Sequence, residues 1–132
     1  AIDDLRGIVS AEITFAAPCA NFGYAQQFED LVKPGPGSPM GYLRPGLTNG
    51  VVKNGYAFTL RPGSGATVVT RSADTCNGAA RDAMSSFFAE AHPVTVSMFS
   101  RRSFAVDERA TIYVREDGRP IEPGMAEAHE LK

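Results

Sequence analysis

Ile2, Leu5, Val9, Ile13 and Ala16 recur at spacings of three and four, the signature of an amphipathic helix over residues 1–17. Ile8 and Phe15 widen this stripe, while Asp3, Asp4, Arg6, Ser10 and Thr14 fall mostly on the opposite side. Pro18 is expected to end the helix, because a proline pushes its predecessor out of the helical region. Glu12 breaks the pattern. At about 100° per residue it lies between Ile8 and Leu5, inside the apolar arc. A carboxylate there either reaches the rim or meets a donor from whatever covers the helix, and a catalytic carboxylate would look the same.

Downstream the pattern shortens. Residues 34–46 hold eight Gly or Pro among thirteen, which excludes helix and central strand and predicts a surface loop. Tyr56–Leu60 and Ala66–Thr70 read as strands joined by a hairpin loop over 61–65. Ala80, Ala83, Met84, Phe87 and Ala91 suggest a short inserted helix over 75–91, with His92 capping its end before Pro93. Ser103–Val106 and Ala110–Val114 give two more strands around a turn at Asp107–Arg109. Residues 119–132 are polar, lack a core stripe and are expected to fray. The expected fold is a single α+β domain over 1–132. One N-terminal helix packs on an antiparallel sheet of about four strands within 55–115, with the short helix inserted.

Composition narrows the function classes. Lys and Arg number 13 against 15 Asp and Glu, a net charge of −2, so neither nucleic acid nor a polybasic membrane-surface role is expected. The chain has two cysteines, Cys19 and Cys76, and two histidines, too few for a closed zinc site without carboxylates. The cysteines are read either as one disulfide in an oxidising compartment or as two buried thiols. A thiol enzyme would need Cys19 or Cys76 beside His92 or His129, an adjacency that spacing does not supply. No phosphate-binding loop, dinucleotide fingerprint, zinc-protease helix, nucleophile elbow or calcium loop occurs. No catalytic, metal or cofactor-binding residue is therefore assigned, and no small-molecule ligand is expected.

Three segments resemble one family. Ala1–Phe15, with Leu5-Arg6-Gly7-Ile8 and Ala11-Glu12-Ile13-Thr14-Phe15, resembles the exposed half of the long N-terminal helix of bacterial type IV pilin-like proteins and pseudopilins. Lys53-Asn54-Gly55-Tyr56-Ala57-Phe58 is similar to a strand of that family. Arg102–Glu108 with Ala110-Thr111-Ile112 resembles its later hairpin, Arg109-Ala110 standing where the family has a small residue and glycine. Together these cover about a quarter of the chain, in the family's order.

The resemblance implies a structural subunit, not an enzyme: the head domain of a type IV pilus or secretion-system filament, with homologous subunits as partners. Its place would be the bacterial surface or periplasm. Membrane contact is expected only through an apolar N-terminal helix segment missing from these 132 residues. Glu12 matches the family's glutamate and is expected to pair with a donor on the sheet, Arg71 or Arg109. The alternatives are an extracytoplasmic module binding a ligand through loops 34–46 and 72–100, or a small secreted thiol enzyme.

Overall fold

The computed structural model describes residues 1–98 and 101–131. Helix α1 spans Ile2–Cys19 and α2 spans Phe28–Val32. Eight strands follow: β1 Val51–Lys53, β2 Tyr56–Pro62, β3 Val68–Thr70, β4 Ala83–Met84, β5 Phe87–Pro93, β6 Ser103–Asp107, β7 Tyr113–Arg115 and β8 His129–Glu130. Six form one antiparallel sheet in the order β1-β2-β5-β6-β7-β8, and β3 with β4 makes a separate two-stranded sheet. The α+β class and the N-terminal helix laid on an antiparallel sheet match the expectation. The strand count does not: among the described residues eight strands stand where about four were expected.

Helix α1 buries Leu5, Ile8, Val9, Ala11, Glu12, Phe15, Ala16 and Cys19. The stripe expected from Ile2, Leu5, Val9, Ile13 and Ala16 is therefore rotated. Leu5, Val9 and Ala16 are buried and Ile2 packs partly against the core, but Ile13 is 56% exposed. Ile8 and Phe15, both fully buried, mark the centre of the face. Burying a phenylalanine ring removes more apolar surface from water than any one stripe residue does, so Phe15 sets the rotation. Pro18 does not stop the helix. It sits in the last turn, and the Ala16 carbonyl accepts from the Ala20 and Phe22 N–H groups at 3.2 and 2.8 Å.

Under α1 lie Phe58 and Leu60 of β2, Phe87, Ala89 and Ala91 of β5, Phe104 and Val106 of β6, and Val114 of β7. The inserted helix expected over 75–91 is absent. A three-residue 3-10 turn at Ser72–Asp74 is followed by irregular chain, β4 and β5. Strand β5 is buried on both faces, which hides the two-residue alternation that would have marked it as a strand. The expected 56–70 hairpin also fails: β2 pairs with β1 across Asn54-Gly55 and with β5, while β3 pairs with β4. Asn54 and Gly55 both have positive φ, 53° and 83°, the geometry of a two-residue hairpin turn. The 119–132 segment is not a frayed tail. Ile121 and Met125 pack on Phe88 and Ala105, on the sheet face away from α1, and β8 pairs with β7.

Residues 34–46 form no regular element, as expected, but they are tied down. The Tyr42 and Leu43 N–H groups donate to the Leu31 carbonyl at 2.7 and 3.0 Å. This brings the chain so close that a Cβ on Gly41 would lie 1.8 Å from the Val32 carbonyl oxygen. Gly41→Ala is expected to cost about 3 kcal/mol, because backbone rather than a side-chain tip must move. Urea denaturation of the variant reads this directly, and an unchanged midpoint would contradict the close approach.

Candidate functional site

Cys19 and Cys76 form a disulfide, so of the two readings of the cysteines the bridge is the one found. It pins the end of α1 to the segment after the 3-10 turn, where the Cys76 N–H also donates to the Cys19 carbonyl at 2.8 Å. Tyr42 brings the 34–46 loop to the same place: its hydroxyl lies 3.4 Å from Cys76 Sγ, and its ring meets Phe15 edge-on at 5.5 Å. The Asn77 amide donates to the Asp30 and Lys33 carbonyls, and the Asp30 carboxylate accepts from the Ala80 and Arg81 N–H groups. In the oxidised protein neither sulfur is a thiolate, so a nucleophile at Cys19 or Cys76 would first require reduction.

Glu12 is fully buried in the core. Its expected arginine partners are elsewhere. Arg71 is exposed, and Arg109 donates to Asp107 on its own turn and lies over the Tyr113 ring. The donor that meets Glu12 is the Ala25 backbone N–H, 2.7 Å from Oε1. Residues 20–25 turn back after the helix and place this N–H there. No hydrogen-bond partner stands at Oε2 among the described residues.

Burial pushes the Glu12 carboxyl well above its ordinary value, the Ala25 bond offsets part of this, and the nearby Asp30 charge adds to the rise. A carboxyl raised in the folded state holds its proton where the unfolded chain has lost it. Its contribution to stability is therefore complete below the unfolded value of about 4.5 and is lost as pH climbs through the raised one. Glu90, also raised by burial, acts in the same direction. Unfolding free energy is expected to fall as pH rises from the ordinary carboxyl range through the raised one, and Glu12→Gln to flatten that fall. Urea titrations across the range test this; a Glu12→Gln profile parallel to the wild type would show the carboxyl to be ionised throughout.

A second polar cluster lies on the far face of the sheet. Glu90 and His92 stand two apart on β5 and share a face, with His92 Nδ1 at 2.8 and 3.2 Å from the two Glu90 oxygens. The Ile121 N–H donates to Glu90 from the covering segment at 3.2 Å. His92 borders a cleft of about 270 Å³ with Asn49, Thr59, Arg61 and Glu122. This pair went unnoticed in the sequence because 75–91 read as a helix, which turned its end residue His92 into a cap. His129 lies apart from it, exposed and 3.6 Å from Glu116.

Two openings flank α1. One of about 650 Å³ at its first turn is lined by Ile2, Tyr56, Met98, Arg101, Arg102 and Phe104, among others. Another, of about 680 Å³, runs between that turn and residues 42–47. Among the described residues no group of three His, Cys, Asp or Glu is arranged to hold a metal. Among the described residues no helix is long and apolar enough to cross a membrane. No protein-family model, curated protein or solved structure matches the chain.

Proposed function

We propose that the chain is the head domain of a bacterial type IV pilin or pseudopilin, a structural subunit of a surface pilus or a type II secretion-like filament. The observation that carries this reading is the lie of α1: an N-terminal helix with one face buried on an antiparallel sheet and the other face, Ile13 included, open to neighbours. The three sequence resemblances add to it, and the disulfide suits an oxidising extracytoplasmic compartment. The role is mechanical, with homologous subunits as partners and no reaction or cofactor. A full-length form would be membrane-anchored before assembly.

One observation favours a second reading, an extracytoplasmic binding module. The 34–45 loop borders an opening of about 520 Å³ lined by Val32, Met40, Tyr42 and Arg44, where a small ligand would fit. Filaments sheared from the native cell surface and analysed by mass spectrometry separate the two. A filament subunit appears in the sheared, sedimenting fraction. A binding module stays in the soluble extracytoplasmic fraction, and that outcome would overturn the first reading.

A further inference from the structure

The dipeptide Asn-Gly occurs at Asn49-Gly50, Asn54-Gly55 and Asn77-Gly78. In such a pair the backbone nitrogen of the glycine can attack the asparagine side-chain carbonyl, because no Cβ on the glycine shields it. The sequence therefore offers the same reaction at each pair, and the fold decides where it runs. At Asn49 both reacting groups are engaged: Oδ1 accepts from the Leu60 N–H at 2.8 Å, and the Gly50 N–H donates to the Phe58 carbonyl at 2.8 Å. At Asn77 the side chain is buried and donates to the Asp30 and Lys33 carbonyls at 2.9 and 3.0 Å, while the Gly78 N–H donates to the Thr75 carbonyl at 3.2 Å. Reaction at either place first requires these bonds to break.

Asn54-Gly55 is different. Both residues are exposed at the tip of the β1–β2 hairpin. Among the described residues the Asn54 side chain and the Gly55 N–H have no hydrogen-bond partner. The hairpin is held by the pairing of Lys53 with Tyr56 and by the Val94 N–H, which donates to the Gly55 carbonyl at 3.0 Å. Neither involves the peptide group that joins Asn54 to Gly55. With φ of 53° and 83° the two residues sit in a type I′ turn, and flipping that one peptide group gives the type II′ turn with the strand ends in place. The flip takes Asn54 ψ toward about −120° and turns the Gly55 nitrogen to the Cγ side.

We propose that Asn54 is a self-modification site, the one Asn-Gly pair that converts to aspartate and isoaspartate in the folded protein. The Gly55 nitrogen gives up its proton to a base in solution and bonds to Asn54 Cγ. The Cγ–Nδ2 bond then breaks, and Nδ2 takes up a proton and leaves as ammonia, closing a succinimide ring. Water adds to the ring: opening at the Cγ–N bond leaves an aspartate, and opening at the backbone C–N bond leaves an isoaspartate. Both add one negative charge to a chain of net charge −2. The isoaspartate also adds a methylene to the main chain between β1 and β2. Strand β1 is three residues long, lies at the edge of the sheet and pairs only with β2, so the longer turn loosens it. With it goes the ion pair of 2.7 Å from Lys53 to Asp4, which ties this edge to the first turn of α1. The proposal stands apart from the subunit reading and holds for any function of the domain.

The test ages the folded chain at physiological temperature in mildly alkaline buffer made with heavy-oxygen water, then digests it with trypsin in ordinary water. Cleavage after Lys53 parts Asn49 from Asn54, and the heavy oxygen marks only what reacted before digestion. The expected result is one heavy oxygen in the peptide beginning at Asn54, present as separate aspartate and isoaspartate forms, with the other two pairs unchanged. In urea all three pairs are expected to react. Asn54→Gln, whose longer side chain would need a six-membered ring, is expected to abolish the uptake by the folded chain. Reaction of the folded chain first at Asn49 or Asn77, or none at Asn54 in the time that the urea-unfolded chain reacts fully, would overturn the proposal. Amide hydrogen exchange in the aged sample is expected to quicken across Val51–Lys53, and an unchanged β1 would contradict the loosening.

Discussion

Cys19→Ala combined with Cys76→Ala is expected to lower the free energy of unfolding by about 4 kcal/mol. The bridge joins residues 57 apart, and in the chain-entropy account a loop of that length removes much of the freedom of the unfolded chain. A domain of this size is stable by only about 5–15 kcal/mol, so the loss takes a large share of what holds it folded. The folded state also loosens locally, because α1, the Tyr42 loop and the 72–82 segment meet at these two sulfurs. The Asn77 and Asp30 hydrogen bonds remain to hold the 72–82 segment against α2, so the double variant is expected to fold. Urea denaturation of oxidised wild type against the double variant gives the number. A difference below about 1 kcal/mol would mean that the unfolded chain is already constrained without the bridge.

Phe15→Ala is expected to cost about 3–5 kcal/mol, and Ile13→Ala less than about 0.5 kcal/mol. The two positions are neighbours on one helix and both apolar, so the contrast measures the rotation of α1 on the sheet. Phe15 has no exposed surface and packs edge-on against Tyr42, and its truncation leaves a cavity that the sheet cannot fill by shifting. Ile13 is more than half exposed. Comparable losses at the two positions would show the helix to be turned toward the face centred on Ile13.

The existence of α1 was legible because an amphipathic repeat over four turns has few other readings. Its rotation was less so: Ile13 fits the three-four spacing as well as Phe15 does, and only the partner surface decides between them. Strand β5 was misread for a related reason. Phe87, Ala89 and Ala91 face α1 while Phe88 faces Ile121 and Met125, so both sides are apolar and the period vanishes. Ile121 and Met125 themselves are two anchors in a polar stretch broken by Pro123 and Gly124, with no periodicity to announce them. Glu12 stood out as a buried carboxylate, but its partner is a backbone N–H, which every residue except proline carries and no sequence pattern marks. The cysteines could be counted but not paired, since pairing depends on where the chain returns in space. Glu90 and His92 were hidden with the strand that aligns them.

The central proposal is that this domain is the head of a filament subunit, with α1 the C-terminal part of a longer helix. Reading the native gene upstream of the Ala1 codon tests it most directly. The account predicts a short basic leader followed by an uninterrupted apolar segment of roughly 20 residues, long enough to span a membrane and in phase with α1. An ordinary cleavable secretory signal joined directly to Ala1 would contradict it.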